Sequence, residues 1–222
     1  MPKRAVVLNL VKAALTVWCL APALSLLYVL NRMDRHFIRN FNYQVFALAI
    51  GETGAWAFIF LFITLACTPI QRLTGWRFAV ELRRTLGLIA FLYSFLHLVA
   101  YFVIGQKLRL DYTWADAMLR KSRLPGWAAL LLLVPLAVTS TDGMIVRVGA
   151  KRWKNLHRLV YLAGALAIWH LAWTDADNQT DYHRTKNALV PFVILMVLRF
   201  LPLSSWRQKL RTLVPTRSSP DH

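Results

Sequence analysis

The sequence predicts an all-α membrane protein, a bundle of six transmembrane helices with both termini cytoplasmic. Three observations carry this expectation. Apolar residues make up 57% of the 222 positions and charged residues only 17%, whereas an average soluble domain is about a quarter charged. The apolar residues are gathered into long runs that recur along the whole chain. The segments between the runs hold Lys and Arg and are too short to fold alone. A single membrane domain over 1–222 follows. Its spans must be helices, because unpaired backbone groups in hydrocarbon cost several kcal/mol and the runs are too continuous for barrel strands.

The first span is expected at 10–30. Met1-Pro2-Lys3-Arg4 ahead of an apolar run, with Ala21-Pro22-Ala23 behind it, imitates a secretory signal. The uncharged stretch from Ala13 to Leu30 is nevertheless long enough to cross a bilayer, so a retained helix is expected. The second span covers 44–67, and the third, 85–104, is the clearest, with no charge and one histidine between Leu86 and Ile104. The fourth, 125–141, contains Pro125, which suits a helix start, and Pro135, which should kink it. The fifth covers 157–174. The sixth, 187–204, is interrupted by Arg199, whose head group would have to reach the interface. The basic, polar tail 205–222 reads as a frayed terminus.

The net charge of +17 is a matter of topology. Nucleic-acid binders concentrate basic residues on one face or tail; in this chain they lie between apolar runs. With the N-terminus inside, the cytoplasmic side takes Lys3, Arg4, Lys12 and the clusters at 72–84, 147–158 and 199–217. That is 17 of the 27 Lys and Arg residues, which satisfies the positive-inside rule in spite of a basic outer loop at 105–124. No nucleic-acid partner is expected; membrane lipid is. Cys19 and Cys67 lie in apolar runs without metal-ligand spacing, and read as small buried side chains.

The histidines are the chemically informative residues. His36, His183 and His222 fall in expected loops or at the terminus, whereas His97, His157 and His170 lie in or at the ends of the third and fifth spans. Intramembrane ionisable residues are costly and mark function by default. Neutral imidazole ligates haem iron, and bundle cores are where such sites are built. The third and fifth spans run in the same direction, and His97 and His170 lie at similar depth in their outer halves, so the pair is placed to bracket one haem. His157 lies about 20 Å deeper and is a candidate ligand for a second, inner haem. No histidine of the third span matches that depth. Arg83 returns to nearly the face of His97, within about 40°, and suits haem propionates better than iron. His157 and His170 are about 140° apart in phase on a straight helix, so one stripe carries both only if the helix is distorted, for which Gly164 is a candidate. The competing reading of each histidine is a hydrogen-bonded group stabilising helix contacts.

Several stretches together carry a resemblance: Arg83-Arg84-Thr85-Leu86-Gly87 leading to His97; Thr139-Ser140-Thr141-Asp142-Gly143; and Lys151-Arg152-Trp153-Lys154-Asn155-Leu156-His157-Arg158-Leu159-Val160-Tyr161 leading to Trp169-His170. Thr68-Pro69 with Gly75-Trp76 adds a weaker match. The chain resembles the haem-binding membrane subunits of bacterial periplasmic methionine-sulfoxide reductase systems, within the ferric-reductase-like transmembrane superfamily. The resemblance implies b-type haem, one or two groups, together with FMN. It implies location in the bacterial inner membrane, with electrons drawn from the quinone pool or a cytosolic flavin reductase. It implies delivery to a separate periplasmic molybdopterin subunit that reduces methionine sulfoxide in oxidised proteins. His97, His157 and His170 match the functional histidines of the family. Where the superfamily commonly has a further histidine on the third helix, this chain has Arg83 or Arg84.

The residues also bound what the chain does alone. No Gly-rich nucleotide-binding turn is present, so an external donor and acceptor are expected. Glu52, inside the second span, is a candidate to relay protons or hydrogen-bond a quinone, or else simply reaches interfacial water. Trp76, Trp114, Trp127, Trp153 and Trp173 fall near span ends and read as interfacial anchors. The basic cluster of Arg83, Arg84, Lys151, Arg152 and Lys154 serves topology and lipid phosphates, or contacts haem propionates or flavin phosphate. Two alternatives keep the fold and change the role: a stand-alone ferric- or quinone-linked haem reductase, and a non-redox membrane protein with structural histidines.

Overall fold

A computed structural model describes residues 2–32, 43–106, 109–177 and 183–201 of the chain. Among these residues the regular structure is helical throughout: α1 (Pro2–Arg32), α2 (Tyr43–Thr74), α3 (Arg77–Ala100), α4 (Leu110–Leu119), α5 (Arg123–Val138), α6 (Asp142–Val148), α7 (Ala150–Leu156), α8 (Leu159–Asp177) and α9 (His183–Phe200). A π-helical turn, Tyr101–Gly105, continues α3.

Four segments are long and apolar enough to cross a membrane: Val6–Ser25, Ala47–Thr74, Arg77–Val103 and Ala150–Asp177. A fifth is reached if α5 and α6, bent by 95° to each other, count as one span. The protein is therefore a multi-pass helical membrane protein. The helix expected as the sixth span, α9, is 18 residues long and carries Arg184, Lys186 and Arg199, and it does not reach that standard. The end of that expected span, with His36 and His222, lies outside the described residues.

The boundaries have local causes. α2 ends at Gly75, whose φ of 77° only glycine adopts cheaply, and whose N–H donates to the Gln71 carbonyl at 2.8 Å. α3 starts at once afterwards, so Arg83 and Arg84 lie inside this helix and not ahead of it. Pro125 falls in the first turn of α5, where its missing N–H costs nothing. Pro135 does not end α5, which runs to Val138; the Pro135 carbonyl accepts from Thr139 N at 3.0 Å and Thr139 Oγ1 at 2.6 Å before the chain turns. The segment between α3 and α5 contains a ten-residue helix, α4, that the apolar pattern did not disclose.

α2 packs along α3 and α5 along α8, and α9 lies against α8 and α2. The core contains Phe60, Leu65, Leu86, Ile89, Tyr93, Leu133, Ala163 and Phe192. Gly164 is buried so tightly against Phe192 that a Cβ would lie 2.7 Å from the ring, the close small-residue approach typical of membrane helices. α1 is mostly exposed along its span. Pro22 interrupts its ladder, and the buried Tyr93 hydroxyl fills the gap, donating to the Cys19 carbonyl at 2.7 Å and accepting from Ala23 N at 3.2 Å. Cys19 and Cys67 are both buried free thiols.

Candidate functional site

His97 lies in the last turn of α3 and His170 in the second half of α8, so both rings fall at one end of the bundle. Their ring centres are 6.2 Å apart with planes at 75°. Each ring is fixed in the same way. Nδ1 of His97 stands 3.1 Å from the Ile50 carbonyl oxygen, and Nδ1 of His170 stands 2.6 Å from that of Ser122. A carbonyl only accepts, so Nδ1 carries the proton in both rings and Nε2 keeps its lone pair. This is the arrangement by which proteins orient metal-ligating histidines.

The rings are also backed by glycines. A Cβ on Gly54 of α2 would come within 3.1 Å of the His97 ring, and one on Gly126 of α5 within 3.0 Å of the His170 ring. Thr53 Oγ1 is 3.4 Å from His97 Nδ1, while donating at 2.6 Å to the Ala49 carbonyl of its own helix. Thus α3 and α8 supply the imidazoles, while α2 and the residues entering α5 supply the carbonyls and the clearance.

Spacing and tautomer fit a haem. With imidazole–metal bonds of about 2 Å and about 1 Å from ring centre to nitrogen, two rings that shared one metal would have centres up to about 6 Å apart. Among the described residues no group of three or more His, Cys, Asp or Glu side chains gathers to hold an ion. Two imidazoles alone suit a metal whose other positions a macrocycle fills.

The opposite end is built differently. His157 caps α7, in a break marked by short-range bonds from Arg158 N to Asn155 O and from Tyr161 N to Arg158 O, both 3.1 Å. The distortion between His157 and His170 is thus at His157 itself and not at Gly164. The His157 ring stacks on Trp153 with centres 3.9 Å apart; its Nδ1 is 3.2 Å from the Trp153 carbonyl and its Nε2 3.4 Å from Ser140 Oγ. Trp153 is more than an interfacial anchor, because its indole N–H donates to the Thr139 carbonyl at 2.8 Å. Arg84 donates to the Ser140 carbonyl and pairs with Asp142 at 2.7 Å. Arg83 reaches Thr68 Oγ1 at 3.4 Å. The Thr139–Gly143 stretch is thereby gripped by α3 and α7 beside His157.

Glu52 is exposed on α2 at a cavity of about 360 Å³ between α1 and α2, walled by Trp18, Pro22, Trp56 and Phe60. Sequence reasoning missed Thr53, Gly54, Ser122 and Gly126. Their available signal was small residues on spans facing an intramembrane histidine.

Fold and site define a multi-pass helical membrane protein with a matched, half-buried histidine pair at one end of its bundle. Residues 53–168, just over half of the chain, match the family described as ferric reductase like transmembrane component. The protein-methionine-sulfoxide reductase heme-binding subunit MsrQ of Rhodospirillum rubrum is 51% identical over 119 residues, which are 54% of this chain and 57% of that protein. The protein of the same name from Azospira oryzae is 36% identical over 217 residues, covering 96% of this chain and 86% of its own. The magnetosome protein MamZ of Magnetospirillum gryphiswaldense is 45% identical over 69% of this chain but only 23% of its own length. The chain belongs to the ferric-reductase-like transmembrane family, in the branch of these MsrQ subunits.

Proposed function

We propose that the protein is a haem b electron-transfer subunit that carries electrons across the bacterial inner membrane to a partner reducing methionine sulfoxide. The observation that carries this reading is the pairing of His97 and His170, with ring centres 6.2 Å apart and both Nδ1 protons committed to carbonyls. Haem, when bound, supplies one-electron chemistry. The chain's own residues would leave both Nε2 lone pairs free for it and fix the two ring orientations through the carbonyls of Ile50 and Ser122.

The finer features of the reading are these. Six spans with both termini cytoplasmic place the histidine pair toward the periplasm and His157 toward the cytoplasm. The acceptor is a periplasmic molybdopterin subunit, and repair of oxidised proteins is the purpose. A second haem at His157, or FMN, would find cationic side chains in Arg83 and Arg84 on the cytoplasmic side. The donor is the quinone pool or a cytosolic flavin reductase. The aromatic-walled cavity at Glu52 supports a quinol, since it lies between lipid-facing helices and offers one carboxylate to take a proton.

A dithionite-reduced-minus-oxidised spectrum of the protein purified in mild detergent, after expression with haem supplied, tests the reading directly. A b-type α-band is expected; its absence overturns the haem assignment in favour of a non-redox membrane protein. Quinol-driven reduction of methionine sulfoxide should require the molybdopterin subunit. Reduction of ferric chelates at full rate without it would favour a stand-alone reductase, the reading to which the family description lends itself. Glu52→Gln should slow haem reduction by quinol; an unchanged rate removes Glu52 from the donor path.

A further inference from the structure

We infer that Arg123 is the cation that receives a carboxylate of the ligand held between His97 and His170, and that it sets the potential of that site. The inference rests on the haem reading above and gives this end of the bundle the anionic contact that the sequence had suggested only for Arg83 and Arg84.

Three observations converge on Arg123. It directly follows Ser122, whose carbonyl holds His170 Nδ1 at 2.6 Å. Its guanidinium lies 5.4 Å from the centre of the Tyr101 ring, over its face. Tyr101 is buried, one turn beyond His97, and opens the π-helical turn Tyr101–Gly105, a distortion frequent at functional sites. The surrounding pairs leave positive charge in excess: Asp116 alone receives Arg120 at 2.9 Å, Arg123 at 3.4 Å and the Tyr101 hydroxyl.

The side chain of Arg123 is 23% exposed, against 54% for Arg120, so Arg123 is the partly desolvated member and the stronger partner for an anion. A planar ligand bearing carboxylates would find in Arg123 a partly exposed cation next to the residue that holds His170. The planar fork of an arginine suits a carboxylate in a way a lysine ammonium does not.

Redox titration of the purified holoprotein, followed at the b-type α-band, tests the role. Arg123→Gln removes a positive charge that disfavours the oxidised state. It should shift the reduced-to-oxidised ratio at fixed potential up to about tenfold toward oxidised, or about 59 mV for one electron. Arg123→Lys should retain most of the wild-type potential while releasing haem more readily to apomyoglobin. Asp116→Asn frees the guanidinium and should shift the potential the opposite way. Arg120→Gln should leave it where it is. An Arg123→Gln protein with wild-type potential and haem retention overturns the proposal while the haem reading stands. A wild-type protein without a b-type spectrum removes that reading, and the proposal with it.

Discussion

The two ends of the bundle each hold a histidine whose Nδ1 faces a backbone carbonyl, yet they are built on different plans. At the His97–His170 end, the carbonyls come from other parts of the chain, Ile50 and Ser122, and each ring rests on a glycine of a neighbouring helix. At the His157 end, the carbonyl is that of Trp153 in the preceding turn, and the ring stacks on the side chain of the same residue. The first site is defined only when four segments are assembled. The second is largely defined by one segment, with the Thr139–Gly143 stretch laid across it. A ligand bridging helices needs the first kind of site; a local turn is enough to make the second.

That contrast can be broken by substitution. Either His97→Ala or His170→Ala should abolish the α-band contributed by the pair, while His157→Ala should leave at least that part intact in the same difference spectrum. Equal losses from all three would erase the distinction. Gly126→Ala or Gly54→Ala should come next, because the new methyl must displace a ring that cannot retreat without losing its carbonyl. A cost of about 1–3 kcal/mol is expected for such overpacking, read as faster haem loss and shifted low-spin EPR g values. Trp153→Phe keeps the stack but removes the indole N–H bond to Thr139, worth about 1 kcal/mol. It should lower thermal stability in detergent and leave the His97–His170 spectrum untouched. Asp142→Asn should do least. The Arg84–Asp142 pair has 40% and 91% of its side-chain surfaces exposed, and such pairs contribute about a few tenths of a kcal/mol, less at high salt.

The membrane class and the general placement of the first, second, third and fifth expected spans were legible because hydropathy reports directly on partition into lipid. The shared depth of His97 and His170 was legible too, since rise per residue converts position into height. Height says nothing about azimuth, so the distortion between His157 and His170 was expected at Gly164, the residue whose backbone is freest. In the structure Gly164 makes room for Phe192, and the chain breaks at His157–Arg158. The carbonyls of Ile50 and Ser122 left no trace in the sequence, because every residue has one and only the assembled bundle selects which faces a ring. Gly54 and Gly126 were visible as residues but not as ring supports, for the same reason. Arg123 sat inside a loop read only for its net charge; the π-helical turn and α4, which bring it against Tyr101, have no apolar periodicity to announce them. The orientation of the termini rests on charge counting alone.

The Tyr93 hydroxyl has a consequence for α1. Hydrocarbon offers no grip on a helix that presents apolar surface all round, and such a helix can slide or rotate against its neighbours at little cost. Next to Pro22 a single phenol bridges the Ala23 N–H and the Cys19 carbonyl of α1, and it does so at one setting only. A shift by one residue, about 1.5 Å, would forfeit both of these bonds. Tyr93 therefore acts as a locating pin, fixing the registration of a helix that greasy contacts alone would leave adrift.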